Sequence, residues 1–391
     1  MLYSNKILTL EESNTLAISS LAQSLQKEGK EIINLSTGEP DFDTPQAIKE
    51  SAIEAINEGF SKYTAVSGMP ELKSAICQKL LRDNSLSYSP NEIIVSNGAK
   101  HSLFNAFGAL LNAGDEVLIP SPYWVSYPEI TKYNQATPIF LPTSQENNFK
   151  ITPKQLQDAL TPRTKLLILN SPSNPTGSLY NKEELEALGE VLKGSDVWVI
   201  SDEIYEKLTY SEGFTSLASL SDDLLSRTIT INGLSKSTAM TGWRMGYLAS
   251  KDKTLIKAIN NLQGNSTSNI NSFTQMASIT ALSPALEGEI AMMRERFRER
   301  RDFAYSQCSL IQGLSLNLPD GAFYLFINIE GVKRFGGDSM SFCKALLEEK
   351  GMALVPGVAF GVDGYVRMSF ATSLEVLKRG FEKIAEFVDC Q

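Results

Sequence analysis

The sequence has only one histidine, His101, in 391 residues, and this scarcity excludes several kinds of site. Histidine-rich metal centres have little support. The four cysteines are scattered and include no CxxC pair, so a zinc or redox motif is not expected either. We therefore predict no metal site. His101 itself falls inside a predicted helix, where we expect it to pack rather than to act as an acid or base.

Long hydrophobic runs are missing as well. No apolar run approaches the roughly 18 residues that a membrane-spanning helix needs, and the first residues lack the basic and apolar segments of a secretory signal. The net charge of −9 argues against a nucleic-acid or anionic-membrane partner. No GxGxxG motif follows the first predicted strand, which disfavours a dinucleotide oxidoreductase. These features predict a cytoplasmic protein without a nucleic-acid or membrane partner.

What the chain does have is a regular alternation of short apolar runs and longer helical patterns between about residues 70 and 290. The apolar runs show little polar alternation, which is typical of strands covered on both faces and hence of a mainly parallel sheet in an α/β fold. A highly charged helical stretch after residue 290 indicates a separate, smaller domain. The predicted strands of the first part are 92–96, 116–119, 165–170, 197–202 and 228–232.

A lysine flanked by serines, Lys236, follows the last of these strands. An amine at the end of a buried strand is costly unless it is paired or covalently bound. An aldehyde cofactor provides the second option as a Schiff base, and pyridoxal 5′-phosphate is the commonest such cofactor. Arg244, eight residues on, has the planar guanidinium that suits a phosphate group.

Polar residues follow the other strands, at the edge of an open α/β sheet where ligands bind. Residues 96–101 form a small-residue turn that opens a helix and can hold a phosphate, although such turns open many helices. Residues 170–177 form a proline-rich turn in which Asn174 can donate a hydrogen bond and precedes a candidate cis proline; a plain turn is the alternative. Asp202 can pair with a protonated pyridine nitrogen or simply cap a helix.

The order and spacing of these segments resemble fold-type I, class I pyridoxal-phosphate aminotransferases, and most of all the bacterial subgroup Iβ aspartate aminotransferases. The resemblance implies a large domain with a mainly parallel seven-stranded sheet and a smaller α/β domain. Its expected division is an N-terminal segment (1–45) that joins the small domain, a large domain (46–290) and a C-terminal small domain (291–391). The matching motifs are 38–45, 62–64, 68–72, 122–128, 170–177, 201–205, 239–244, 355–357 and 366–369.

The resemblance implies roles at the cofactor. Lys236 forms the Schiff base and carries the proton during catalysis, and Asp202 pairs with the pyridine nitrogen. Tyr205 and Asn174 hydrogen-bond the oxygen on the cofactor ring, and Trp124 stacks on its face. The phosphate is expected to be bound by the backbone amides of Gly98, Ala99 and Lys100, by Arg244, and by Tyr63 from a neighbouring subunit. Many relatives have a phosphate-binding serine where this chain has Gly233, and Ser235 is expected to take its place.

The resemblance also implies how substrates bind. Arg367 holds the α-carboxylate and Gly38 lies against it, with Trp124 and Asn174 nearby. The segment that supplies a distal-carboxylate arginine in subgroup Iα, here 261–269, contains none. In subgroup Iβ a lysine at the position of Lys100 is thought to serve, helped by residues matching Ser13 and Thr15. Glu11 stands about where prephenate-accepting relatives carry a basic residue, which disfavours prephenate.

These matches predict reversible amino transfer between L-aspartate and 2-oxoglutarate by a homodimer with shared active sites. Three alternatives remain open, because fold and cofactor do not determine the reaction. The first is an aromatic, alanine or broad-range aminotransferase, the second a β-elimination lyase, and the third a cofactor-binding regulatory module without activity.

Overall fold

The computed structural model describes residues 4–10, 14–211 and 213–389. The helices are α1 (Asn5–Leu8), α2 (Asn14–Lys27), α3 (Gln46–Asn57), α4 (Pro70–Asn84), α5 (Ala99–Leu110), α6 (Ser126–Tyr133), α7 (Pro153–Ala159), α8 (Lys182–Leu192), α9 (Asp222–Arg227), α10 (Lys253–Gly264), α11 (Ser272–Ala281), α12 (Glu287–Ser309), α13 (Ser339–Lys350) and α14 (Leu374–Asp389). The strands are β1 (Ile33–Asn34), β2 (Ile93–Ser96), β3 (Glu116–Ser121), β4 (Thr137–Pro142), β5 (Thr164–Asn170), β6 (Trp198–Asp202), β7 (Thr228–Gly233), β8 (Gly246–Ala249), β9 (Tyr324–Asn328), β10 (Met352–Ala353), β11 (Val355–Pro356) and β12 (Tyr365–Ser369).

A seven-stranded sheet in the order β2-β8-β7-β6-β5-β3-β4 forms the larger part of the molecule. β4, β3, β5, β6 and β7 run parallel, whereas β8 is antiparallel to both β7 and β2. The central strands are buried almost throughout, as expected for a sheet covered by helices on both faces. The mainly parallel α/β architecture is therefore confirmed, and β8 is its antiparallel exception.

A second, antiparallel sheet of β11, β12 and β9 lies in the C-terminal part of the chain. β1 pairs in parallel with β10, and one hydrophobic core combines Ile18, Leu25 and Leu35 with apolar side chains from Phe297 to Val388. The N-terminal segment thus packs with the C-terminal part. The domain boundaries at residues 45 and 290 stay a prediction.

Local capping determines where several predicted elements begin. The Asn181 side chain accepts from the Glu184 N–H at 2.8 Å, and a Glu184 carboxylate oxygen accepts from the Asn181 N–H, a reciprocal cap that begins α8 as predicted. The charged helix predicted over 292–302 is longer in the structure and becomes α12. The expected cis bond between Asn174 and Pro175 is present.

Two further findings concern membrane-spanning helices and metal-ligand groups. In the described ranges, no helix is long and apolar enough to cross a membrane. Among the same residues, no group of three or more histidine, cysteine, aspartate or glutamate side chains is arranged to hold a metal ion.

Candidate active site

A cavity of about 550 Å³ lies at the carboxyl ends of the central parallel strands. It is closed on the other side by β9, β12 and the N-terminal segment around Gly38. The structure brings most of the predicted site residues to it. Those that line it are Gly38, Ala99, Lys100, Trp124, Asn174, Asp202, Tyr205, Ser235, Lys236, Arg244 and Arg367.

Four predicted residues are not on the cavity wall of the described chain. Gly98 lies just behind it, next to Arg244. Tyr63 is 93% exposed on the surface. Ser13 lies outside the described residues, as does Glu11, and Thr15 is in the first turn of α2, where the backbone alone is described.

Lys236 projects into the cavity from the turn after β7. Its amine donates a hydrogen bond to the Gly38 carbonyl and contacts the faces of the Phe323 and Tyr205 rings at 5.5 and 5.8 Å. Burial, followed by the charges of Arg367 and Arg244, lowers the pKa of Lys236 to about 8, although Glu39 and Asp202 act in the opposite direction. A lysine whose pKa is lowered toward neutral pH, and whose amine contacts no carboxylate, is suited to accept and return protons.

Asp202, the last residue of β6, is a buried carboxylate held by two donors. The Tyr127 hydroxyl donates to Oδ2 at 2.7 Å, and the Ile204 N–H donates to Oδ1 at 3.3 Å. Burial raises the pKa of Asp202 to about 6, although Tyr127, Ile204 and Lys236 act in the opposite direction. A buried carboxylate held in this way is a strong acceptor for a cationic partner.

The beginning of α5 and the Arg244 guanidinium form an anion-binding corner. Gly98 precedes α5 and provides no side-chain cap, so the N–H groups of Ala99 and Lys100 have no acceptor among the described residues. Its φ is +87°, and a Cβ at this position would collide with the Arg244 guanidinium. Arg244 donates to the Thr241 carbonyl at 3.0 Å. Only glycine allows this close approach of arginine and helix N-terminus, a combination that favours phosphate.

Arg367, on β12, has a fixed and largely buried guanidinium. Nη1 donates to Asn174 Oδ1 at 2.9 Å and Nη2 to the Ser36 carbonyl at 2.8 Å. The Nε donor is buried and has no partner among the described residues. A buried donor without a partner is costly, which makes this arginine ready to bind a carboxylate.

Trp124 and Lys100 lie side by side on the cavity wall. The Lys100 amine lies 4.8 Å from the centroid of the Trp124 ring, and desolvation followed by the charge of Arg244 lowers its pKa. Neither Lys100 nor Lys236 forms an ion pair within the described chain. The cavity wall thus carries four cations, Lys100, Lys236, Arg244 and Arg367, against the two carboxylates Glu39 and Asp202. Its excess of positive charge within an acidic protein attracts anionic ligands.

The remaining expectations concern His101 and Gly233. The His101 ring accepts from the Asn97 N–H through Nδ1 at 3.1 Å, and burial lowers its pKa. This hydrogen bond lies within the first turn of α5, and the packing role expected for His101 stays a prediction. Gly233 pairs with Gly246 of β8, and a Cβ there would lie 2.8 Å from the Met245 carbonyl oxygen. A serine at this position would not fit, whereas Ser235 lines the cavity.

Sequence reasoning missed two tyrosines of the site, Tyr127 and Tyr324. Tyr127 is three residues from Trp124 and donates to Asp202; Tyr324 lies on β9, and its hydroxyl is 2.9 Å from that of Tyr205. The (i, i+3) spacing after Trp124 is a signal that could have suggested the first. The second depends on the packing of two sheets and has no local signal.

Comparisons with known proteins agree with this geometry. The model of the family "Aminotransferase class I and II" matches residues 30–384. The chain is 48% identical to an aspartate aminotransferase of Geobacillus stearothermophilus and 45% identical to an aspartate/prephenate aminotransferase of Nitrosomonas europaea, with at least 99% of each chain covered. The structure of the Rhizobium meliloti aspartate aminotransferase superposes with a TM-score of 0.95 at 41% identity, covering 100% of this chain and 99% of the other.

A further solved structure, the Thermus thermophilus aspartate aminotransferase with maleate, has a TM-score of 0.94 at 39% identity and covers 99% of both chains. Identity above 30% over the whole length establishes common family membership as well as a common fold. The chain therefore belongs to the class I and II aminotransferases.

Proposed function

We propose that this enzyme transfers the amino group of L-aspartate to 2-oxoglutarate, giving oxaloacetate and L-glutamate, with pyridoxal 5′-phosphate as cofactor. The observation that carries the proposal is the convergence of Lys236, Asp202, Arg244 and Arg367 on one cavity. Each of these has a charge or donor that the described chain leaves without an ionic partner. The names of the similar proteins support aspartate as the amino donor.

The residues of the cavity fit the cofactor. The N-terminus of α5 and Arg244 would hold its phosphate, since Gly98 leaves the room that a Cβ would occupy. Asp202, buried and in need of a cation, would hold the protonated pyridine nitrogen. Trp124 offers an aromatic face, and Tyr205 and Asn174 offer donors for the ring oxygen. Lys236 would provide the amine for covalent attachment.

When bound, pyridoxal 5′-phosphate supplies an electron sink that acidifies the Cα–H of the attached amino acid. The chain's own residues do the rest. Lys236 would take the proton from the substrate Cα and return it to C4′ of the cofactor, which its lowered pKa of about 8 favours near neutral pH. Asp202 would stay ionised beside a cationic partner, and Arg367 would hold and orient the α-carboxylate of the substrate.

Selection of a four-carbon diacid requires a cation for the second carboxylate. We assign this role to Lys100, whose amine is beside Trp124 and has no carboxylate partner in the described chain. A lysine in the first turn of a helix opposes the helix dipole, so an anionic partner offsets that cost. Ser13 and Thr15 are proposed to assist from the N-terminal segment.

We further propose that two copies form a homodimer in which Tyr63 of each reaches the phosphate site of the other. Its supporting observation is the 93% exposure of this large side chain, which is unusual for an aromatic residue that has no partner to cover it. No nucleic acid or membrane takes part in this proposal. The cytoplasmic location expected from the sequence stays a prediction.

The test is a panel of amino donors and oxo acids on the purified protein, followed by the visible absorption of the cofactor. Aspartate with 2-oxoglutarate should turn over faster than phenylalanine or alanine, and Lys236→Met should abolish the spectral cycling. Preferred turnover of an aromatic amino acid would support the broad-range alternative. Release of ammonia without an oxo acid would indicate the lyase, and binding without turnover of any donor would indicate the regulatory module.

A further inference from the structure

Tyr324 occupies the point where three parts of the chain meet in the cavity. It is the first residue of β9 and only 1% exposed. Its hydroxyl lies 2.9 Å from the hydroxyl of Tyr205, which follows β6 of the other sheet. It also lies against Gly38, where a Cβ would be 2.9 Å from the Tyr324 oxygen. The hydroxyl therefore joins the two sheets and the N-terminal segment.

The ring of Tyr324 has a different neighbour from its hydroxyl. The Arg367 guanidinium lies with Cζ 4.3 Å from the ring centroid and 5.0 Å from that of Phe360. Both distances are within the range of a cation–π contact. The Tyr324 ring thus supports the guanidinium on one side, while Asn174 and the Ser36 carbonyl fix two of its nitrogens.

Two phenols that share one hydrogen bond must divide the roles of donor and acceptor. Burial raises the pKa of both hydroxyls, and Arg367 acts in the opposite direction on each. Tyr205 lines the cavity, where the proposed function gives its O–H an acceptor, so its oxygen is left to accept from Tyr324. When Tyr324 donates, the proton of Tyr205 is free to be donated to another acceptor in the cavity.

We propose that Tyr324 is a positioning residue with two separable effects. Its ring holds Arg367 in the orientation that binds the substrate α-carboxylate. Its hydroxyl donates to Tyr205, so that Tyr205 presents its own O–H to the oxygen of the cofactor ring. The inference rests on the proposed function, because Arg367 and Tyr205 take these roles there.

The two effects are tested with two variants. Tyr324→Phe keeps the ring and removes the hydroxyl, and Tyr324→Leu removes both. In Tyr324→Phe the Kd of maleate, an unreactive dicarboxylate, should stay within about 3-fold of the parent while kcat falls about 10-fold, the size expected for one lost hydrogen bond. In Tyr324→Leu the Kd of maleate should also rise about 10-fold, because the guanidinium loses a ring contact.

A spectroscopic signature separates positioning from simple loss of stability. A donor to the ionised ring oxygen of the cofactor lowers the pKa of its visible absorption band, so Tyr324→Phe should raise that pKa by about half a unit or more. The control is Tyr210→Phe. Tyr210 is also buried, carries the Arg301 guanidinium at 4.7 Å over its ring and donates to the Ala322 carbonyl, but does not line the cavity. Tyr210→Phe should lose stability without shifting the absorption pKa.

An unchanged absorption pKa and kcat in Tyr324→Phe would overturn the role of the hydroxyl, and unchanged maleate binding in Tyr324→Leu would overturn that of the ring. If Tyr324→Leu does not fold, Tyr324→Met takes its place, since it fills volume without an aromatic face. A parent enzyme that does not transaminate aspartate would refute the proposed function instead. Aspartate turnover by the parent enzyme therefore distinguishes failure of the proposed function from failure of the role proposed for Tyr324.

Discussion

Residues 202–206 divide between two buried clusters that face opposite ways. Asp202 and Tyr205 line the cavity. Glu203 and Glu206 point away from it and join Lys79 and Asn84 of α4 in a group that we name the rear cluster. Both clusters bury charge at the end of the same strand, β6. They differ in whether that charge finds its partner within the chain.

In the rear cluster the charged groups are matched. Lys79 pairs with Glu206, and the Asn84 amide donates to the other oxygen of Glu206 at 2.6 Å. Ser201 and Ser216 donate to Glu203 at 2.8 and 2.6 Å. Burial, and then the charge of Glu206, raises the pKa of Glu203 to about 8, which favours its neutral form.

In the cavity, by contrast, charged groups lack ionic partners within the described chain. Lys236 contacts a carbonyl oxygen rather than a carboxylate, and the Arg367 Nε has no partner in the described part of the chain. The difference teaches how to separate a structural cluster from a site when both are buried and charged. A buried cluster whose charges are paired within the chain supports the fold, whereas a cluster with unpaired charges is suited to bind a ligand that pairs with them.

Substituting the central lysine of each cluster gives the largest contrast. Lys236→Met should lower kcat by more than about 1,000-fold, because the proton carrier is lost. Its stability without cofactor should equal or exceed that of the parent, since an unpaired amine has left a desolvated position. Turnover assays and urea denaturation of the cofactor-free protein measure the two effects. A large loss of stability in Lys236→Met would contradict the contrast.

Lys79→Met should show the reverse. It leaves Glu206 buried without its cation, which costs about 3–5 kcal/mol of unfolding free energy, while activity per folded molecule stays near that of the parent. The double variant Lys79→Met/Glu206→Leu should recover much of the stability, and no recovery would show that the ion pair is not the cause.

Lys100→Ala is expected to act on selectivity alone. The ratio of kcat/KM for aspartate to that for alanine should fall about 10- to 50-fold, the contribution of one charge-assisted contact. Alanine turnover should change little because alanine has no second carboxylate. Lys154→Ala, at an exposed lysine on α7, is the control. A preserved aspartate preference would remove Lys100 from the proposed binding of the distal carboxylate.

The sequence was sufficient to predict those strands that have a clear apolar pattern and those site residues that directly follow them. Buried apolar runs predicted β3, β5, β6 and β7, and the polar residues after β2, β5, β6 and β7 predicted most of the cavity wall, because parallel strands end at one edge. β8 was missed since four residues that follow a turn carry no periodicity of their own. Tyr324 was missed because its contacts with Gly38, Tyr205 and Arg367 join residues that are 43 to 286 positions apart. No local pattern encodes such a meeting of two sheets.

The smallest expected effect concerns Tyr127, which lines the cavity and donates a hydrogen bond to the carboxylate of Asp202. Its hydroxyl stabilises the ionised form of Asp202, so Tyr127→Phe should raise the pKa of that carboxyl above about 6 by up to about one unit. Carboxyl-carbon NMR titration of the cofactor-free protein measures the shift.

The consequence of that shift for function has a definite sign. Cofactor affinity depends on ionised Asp202, so it should decline as pH falls, and in Tyr127→Phe the decline should begin at a higher pH than in the parent. Tyr180→Phe is the matched control, because this buried hydroxyl accepts from the Ile151 N–H at 2.8 Å and does not contact Asp202. Coincident affinity profiles for Tyr127→Phe and the parent would mean that Asp202 is held by its surroundings alone. The Tyr127 hydroxyl would then have a structural role, like the residues of the rear cluster, and no role in cofactor binding.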